Sequence, residues 1–135
     1  MHGYIDLKTL FVSAEGRLAR MPFWIAMGLL IVLLVLYESI FGGQTLQLLT
    51  GWLAYPALIF LAVCVLAKRL HDRGKSGWYA AVIVAAFIGM WPYPNGLLDF
   101  VFFVILVWAV VELAVLPGEQ GPNRFGPNPL KPAPV

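Results

Sequence analysis

Hydrophobic and polar positions alternate in this chain on the scale of whole segments. Four apolar stretches, about Phe23–Phe41, Leu46–Ala67, Gly77–Trp91 and Leu97–Leu116, are separated by short polar connections. The hydrocarbon core of a bilayer takes about 20 apolar residues per helix, and three of the stretches have that length. Gly77–Trp91 is shorter; at about 1.5 Å per residue it must borrow its flanks, stand nearly upright or thin the bilayer around it. Ahead of the first stretch, Tyr4, Leu7 and Phe11 fall at i, i+3 and i+7 with Leu10 beside them. That spacing predicts a short interfacial helix on a membrane surface, ended or bent at Gly16. Pro22 suits the first turn of the next helix, where its missing N–H has no role. Gly51 and Pro56 are expected to interrupt the second helix and bend it near Tyr55. Beyond Leu116 the pattern changes to Pro and Gly, with Gly-Pro-Asn at 121–123 and again at 126–128, which is turn and polyproline chemistry. The expected organisation is residues 1-116, a four-helix transmembrane domain with an amphipathic N-terminal segment, and residues 117-135, a Pro/Gly-rich tail.

Charge orients this pattern. The nine Lys and Arg residues fall in three segments only: Lys8, Arg17 and Arg20 before the first stretch, Lys68, Arg69, Arg73 and Lys75 between the second and third, and Arg124 and Lys131 in the tail. The other two connections, Gly42–Thr45 and Pro92–Gly96, have none. Four crossings put all three basic segments on one side, and Lys/Arg excess marks the cytoplasmic side. The fold expected is therefore an all-α membrane protein, a four-transmembrane-helix bundle with both termini cytoplasmic. Aromatic residues at the span ends, Phe23, Trp24, Tyr37, Phe41, Trp78, Tyr79, Trp91 and Tyr93, suit the headgroup level.

Composition narrows the function classes. With 61% hydrophobic and 12% charged residues in 135, a soluble domain has nowhere to hide its apolar surface. The opening residues, with His2, Asp6 and Lys8, do not resemble a cleavable signal, so the first stretch is expected to be an uncleaved anchor. The basic residues are few and flank spans, which argues against a nucleic-acid partner and for anionic lipid headgroups. Cys64 is the single cysteine, inside an apolar stretch, and reads as a small hydrophobe. With only His2 and His71 besides, neither a metal nor a cofactor is expected. On the third stretch Ala81, Ala85 and Gly89 recur at spacing four, which allows close helix approach within the bundle or in a homo-oligomer.

The segment Lys68–Tyr79 carries the densest chemistry. If the second helix runs on through it, Lys68 and Asp72 stand four apart and Arg69 lies one turn from Arg73. Gly74 then supplies a helix stop and Ser76 a cap. Gly74-Lys75-Ser76 is not a phosphate loop: the position that needs the first glycine is Arg69, and a helix precedes it rather than a strand. Adjacent His71 and Asp72 do not make a hydrolytic triad with Ser76, so no catalytic residue is assigned. Intramembrane acids are site candidates by default. Glu38 and Asp99 lie near the outer ends and are expected to reach water. Glu112, about one turn inside the cytoplasmic end of the fourth span, is expected to clamp that helix to the loop or, in the alternative, to serve a small oligomeric transporter or channel.

Three strings carry a family resemblance. Phe11 to Trp24 reads F-x4-G-R-x2-R-x2-F-W, Lys68 to Trp78 reads K-R-L-H-D-R-G-K-S-G-W, and the tail from Gly118 reads G-x2-G-P-N-R-F-G-P-N-P. Together they resemble the family called domain of unknown function 805, small bacterial inner-membrane proteins, over nearly the whole chain. The resemblance puts weight on Gly16, Arg17, Arg20, Trp24, Arg69, His71, Asp72, Gly74, Ser76, Gly77, Trp78, Gly121, Asn123 and Gly126; Tyr79 departs from it, standing where the family often has a second Trp. It supplies no activity. The function expected is that of a non-enzymatic integral inner-membrane protein. Its basic cytoplasmic surface, drawn from Arg17, Arg20, Arg69, His71, Asp72, Arg73, Lys75, Ser76, Asn123 and Arg124, is expected to bind anionic lipid or a protein partner.

Overall fold

The computed structural model describes residues 7–90, 96–126, 128 and 129, with side chains from Leu10 onward. Tyr4, Trp91, Tyr93 and Lys131 lie outside the described residues, as does all but Gly96 of the Pro92–Gly96 connection. The regular elements among the described residues are helices: α1 (Leu7–Val12), α2 (Arg20–Phe41), α3 (Gln44–Asp72), α4 (Tyr79–Met90) and α5 (Leu97–Ala109), the last running on as a π-helical turn, Val110–Val115. Its single β-bridge joins Asn123 to Gly126 in the tail.

Three of these elements, Arg20–Phe41, Gln44–Asp72 and Leu97–Val115, are long and apolar enough to cross a membrane, and Tyr79–Met90 is a shorter apolar helix. Pro22 does lie in the first turn of α2, whose N-cap is Ala19. Gly51 and Pro56 do not break α3, which is helical through both. Thr50 Oγ1 donates to the Leu46 carbonyl (2.8 Å) just before them. The 29 residues of α3 extend about 43 Å at the usual rise. A hydrocarbon core is about 30 Å thick, so a helix of this length carries its last turns, with Lys68, Arg69 and His71, beyond the apolar stretch Leu46–Ala67.

Helix α2 packs on α3, α3 on α4, α4 on α5, and the π-turn returns to α2, so the four long elements close into a ring at that end. The core lies there. Phe23, Ala26 and Leu30 of α2, Val65, Leu66, Ala67 and Leu70 of α3, Ala80 and Ile83 of α4, and Ala109 and Leu113 pack together with Leu10 and Leu18. Leu10 is buried against this cluster, so α1 lies on the bundle itself. Toward the other end of α2 and α3, large apolar side chains such as Ile31, Val32, Leu36, Leu48 and Leu53 are exposed. Cys64 is buried, as its apolar setting suggested.

Candidate functional site: a cation–carbonyl knot at one end of the bundle

At the packed end, three segments far apart in sequence meet: Ser13–Trp24, Lys68–Trp78 and the tail from Leu116. Helix α3 ends here in a Schellman turn. Lys75 N–H bonds to the Leu70 carbonyl (2.9 Å) and Gly74 N–H to the His71 carbonyl (3.0 Å). This needs a left-handed residue, and Gly74, at φ +79°, supplies it. Ser76 follows as the cap, its Oγ accepting from Trp78 N–H at 3.3 Å.

The last helix leaves its terminal carbonyls without intrahelical donors. In this chain those of Leu113, Ala114 and Val115, and the next two carbonyls beyond the helix, are answered by side chains of the motifs. Arg69 Nε donates to the Leu113 carbonyl (2.7 Å) and its Nη2 to that of Leu116 (2.7 Å). Trp24 Nε1 donates to Ala114 (2.7 Å) and Arg20 Nη1 to Val115 (2.7 Å). Arg73 Nη1 donates to Pro117. Arg69 is fully buried and also donates to the Leu18 carbonyl (3.0 Å) and to Asp72. The negative end of a helix dipole is where cations are favoured. The π-turn was not foreseen from the sequence; it lies where this ladder of side-chain donors grips the helix end, and single π-turns recur at such constrained positions.

Arg17 organises the tail in the same way. It donates to Asp72 (Nε to Oδ1, 3.0 Å) and to the carbonyls of Glu119 (2.7 Å), Gly121 (2.8 Å) and Gly126 (3.2 Å). Asp72 thus holds two buried guanidiniums, Arg17 and Arg69. Lys68 Nζ turns the other way and donates to the Leu10 carbonyl (2.6 Å), fixing the end of α1. Two buried cations share one carboxylate, and the remaining compensation comes from carbonyl oxygens. The Pro residues of the tail favour this, since each lacks the N–H that would otherwise claim a neighbouring carbonyl.

His71 completes the closure. Its Nδ1 lies 2.8 Å from the Gly16 carbonyl, and its ring stacks on Phe125 with centroids 3.8 Å apart. Asn123 Nδ2 donates to the His71 carbonyl (3.0 Å) and Glu119 N–H to the Asp72 carbonyl (2.8 Å), so the tail lies directly on the loop. Gly118 is required by closeness: a Cβ there would fall on the Asp72 carboxylate. His71 lies beyond the apolar stretch of α3, and burial, helped by the nearby Arg124 charge, holds its imidazole below the ordinary value despite the Gly16 bond.

Glu112, on the π-turn, is buried and bridges Arg73 (3.2 Å) and Lys75 (3.1 Å), tying the last helix to the loop. The other two acids differ from expectation. Glu38 is held between α2 and α3, accepting from Gln47 Nε2 (3.2 Å) and from the Tyr55 hydroxyl, and Asp99 is buried in the first turn of α5. Gly51 is buried where the Tyr55 and Tyr37 side chains cross it, a packing role that the sequence did not reveal. Ala81, Ala85 and Gly89 are all exposed, Gly89 with the Phe102 ring close beside it. Among the described residues no group of three or more His, Cys, Asp or Glu is placed to hold a metal ion.

Fold and site together define an all-helical chain with membrane-spanning helices, closed at one end by a knot of arginines on backbone carbonyls. Residues 11–127 match the family described as protein of unknown function (DUF805), and the chain belongs to that family. It is 32% identical over 124 residues to the uncharacterized protein YiiR of Escherichia coli, covering 84% of each chain. It is 26% identical over 140 residues to the inner membrane protein YhaH of the same organism, covering 96% of this chain and 97% of the relative. To the inner membrane protein YhaI it is 28% identical over 138 residues, covering 96% of each. No solved structure matches the chain.

Proposed function

We propose that this is a non-enzymatic inner-membrane protein with four spans and both termini cytoplasmic, whose basic cytoplasmic face engages anionic phospholipid. The observation that carries this reading is the gathering of the basic segments. Arg17 and Arg20, Lys68 to Lys75, and Arg124 all lie at one end of the bundle, and the Gly42–Gly43 connection has no basic residue. Cations confined to one end suit the side where Lys and Arg accumulate, and suit a leaflet carrying anionic headgroups. Glu112 fits the role of a clamp: a permeant ion would have to displace Arg73 and Lys75 from it. The transport alternative asks the opposite of that residue.

Two measurements test this. A reporter at either terminus is expected to behave as cytoplasmic, and one inserted between Gly42 and Gly43 as external; an external C-terminus would remove the topology. Native mass spectra of the detergent-purified protein are expected to retain phosphatidylglycerol over phosphatidylcholine. Equal retention of the two would overturn the lipid reading, and flux through reconstituted protein that is lost in Glu112→Gln would replace it with transport.

A further inference from the structure

The knot accounts for Arg17, Arg20 and Arg69, whose donors meet carbonyls and a carboxylate of the chain itself. One guanidinium stands apart. Arg124 is exposed and makes no hydrogen bond to another described residue; its Cζ lies 4.7 Å over the Phe125 ring. That ring is in turn stacked on His71, which is fixed to Gly16. Arg124 is therefore positioned by a stack of two rings that leaves its N–H fork without an acceptor among the described residues. A cation–π contact uses the face of the guanidinium, and the in-plane donors remain for a planar anion.

Those donors border a cleft of about 440 Å³ between the α3–α4 loop, the start of α4, the end of α5 and the tail turn, lined by Gly74, Lys75, Ser76, Tyr79, Trp108 and Arg124. Lys75 has one acid partner, Glu112 at 3.1 Å, for its three donors, and its side chain is 37% exposed. Ser76 Oγ accepts from Trp78 N–H, so its own proton is available to donate. The opposite wall is aromatic: the Tyr79 and Trp108 rings lie 6.0 Å apart at helix ends, the level at which such rings sit in a bilayer. One helical turn farther into the spans on the same faces are Val82 and Val104, both exposed. The cleft is cationic where it meets the loop and apolar where it meets the spans.

We propose that this cleft is a binding site for the phosphodiester of an anionic phospholipid. Arg124 and Lys75 hold the phosphate, Ser76 donates to it, and Tyr79 and Trp108 flank the glycerol and upper acyl chains. The inference rests on the lipid reading above and adds a place to it. The aromatic wall and its apolar continuation select a lipid over free phosphate, which needs neither. Because Arg124 is delivered by the docked tail, the site is complete only while the tail lies on the loop.

The test uses the full-length protein in nanodiscs or detergent, titrated with phosphatidylglycerol, phosphatidylcholine and inorganic phosphate. Binding is read by native mass spectrometry and by quenching with brominated lipid, the contribution of Trp108 among the five tryptophans being isolated with Trp108→Phe. Arg124→Ala is exposed and unbonded, so it leaves the fold intact; it and Lys75→Gln are each expected to weaken phosphatidylglycerol binding about tenfold and to reduce quenching of Trp108. Phosphatidylglycerol preference that survives both substitutions would overturn the cleft while leaving the lipid reading standing. No preference in the wild type would overturn both. Competition by millimolar phosphate as strong as that by the lipid would make the ligand a free anion and overturn the lipid assignment.

Discussion

The two ends of this bundle are held by different physics. At the packed end, buried side chains from every long helix meet, and five successive carbonyls, from Leu113 to Pro117, take donors from Arg69, Trp24, Arg20 and Arg73. At the other end, α2 and α3 expose most of their apolar side chains. Their polar links there are Glu38 with Gln47 and Tyr55, and Tyr37 with Thr50 at 2.9 Å. Lipid tails are as apolar as leucine, so exposed apolar helix surface carries no penalty in a membrane. Backbone groups without partners do carry one wherever water is excluded, and a buried helix end leaves several such carbonyls at once. The chain therefore concentrates its specific residues at the end where a helix terminus, a loop and a Pro-rich tail all leave carbonyls to satisfy.

The largest expected effect follows directly. Arg69→Ala removes donors to three carbonyls and one of the two partners of Asp72 in a fully buried place. It is expected to cost about 3–5 kcal/mol and to abolish a monodisperse species in size-exclusion chromatography. Arg69→Lys is expected to fail nearly as badly, because an ammonium has no fork to span Leu113, Leu116 and Asp72 together. At the other end, Glu38→Gln is expected to change stability by about 1 kcal/mol or less, measured by thermal unfolding in detergent. Equal losses at Arg69 and Glu38 would erase the distinction between the two ends.

An intermediate effect separates the tail from the rest of the knot. Gly118→Ala places a methyl on the Asp72 carboxylate, whereas a Cβ at Gly121 meets nothing within 4 Å. Overpacking of this kind typically costs about 1–3 kcal/mol. Gly118→Ala is expected to release the tail and speed tryptic cleavage after Arg124, with Gly121→Ala behaving as wild type. Similar cleavage in both would mean that the tail contributes little to the closure.

Much of this was legible in the sequence, and the part that was not has one cause. Hydropathy placed the helices, because a bilayer imposes length and composition on any span. The stop at Gly74 and the cap at Ser76 were legible because left-handed backbone and first-turn donors have few residue solutions. The basic cytoplasmic surface, expected to bind anionic lipid or a partner, was a different matter. Arg17, Arg20, Arg69, Arg73 and Arg124 outnumber the acids Asp72 and Glu112 beside them, which leaves an apparent charge deficit. The structure fills most of it with carbonyl oxygens, which have no letter in a sequence. The one available signal was the tail itself, where Pro117 and Pro122 remove donors and leave acceptors beside a set of arginines. Glu38 was read as solvated for a related reason: its partners Gln47 and Tyr55 lie on the next helix, and only the register of α2 against α3 brings them to it.

The smallest expected effect is a pH dependence confined to the packed end. His71 is the one described histidine, and its imidazole titrates below its ordinary value, chiefly because it is buried, with the Arg124 charge acting in the same direction. An unfolded or undocked His71 binds a proton near pH 6.5, while the docked one resists it. Between those two values the undocked state holds more protons, so docking weakens as pH falls through that window and is at full strength above it. Protonation also places a cation beside Arg124 and in the stack with Phe125. Protection factors of the Asn123 and Gly126 amides, which bond across the tail turn at 3.0 Å, are expected to be steady above pH 7 and to fall progressively below about pH 6.5, once the intrinsic base-catalysed exchange rate is divided out. His71→Gln is expected to flatten that dependence, and the Glu38 end of the bundle to show none. Protection that falls equally at both ends would trace the effect to the membrane mimic and not to His71.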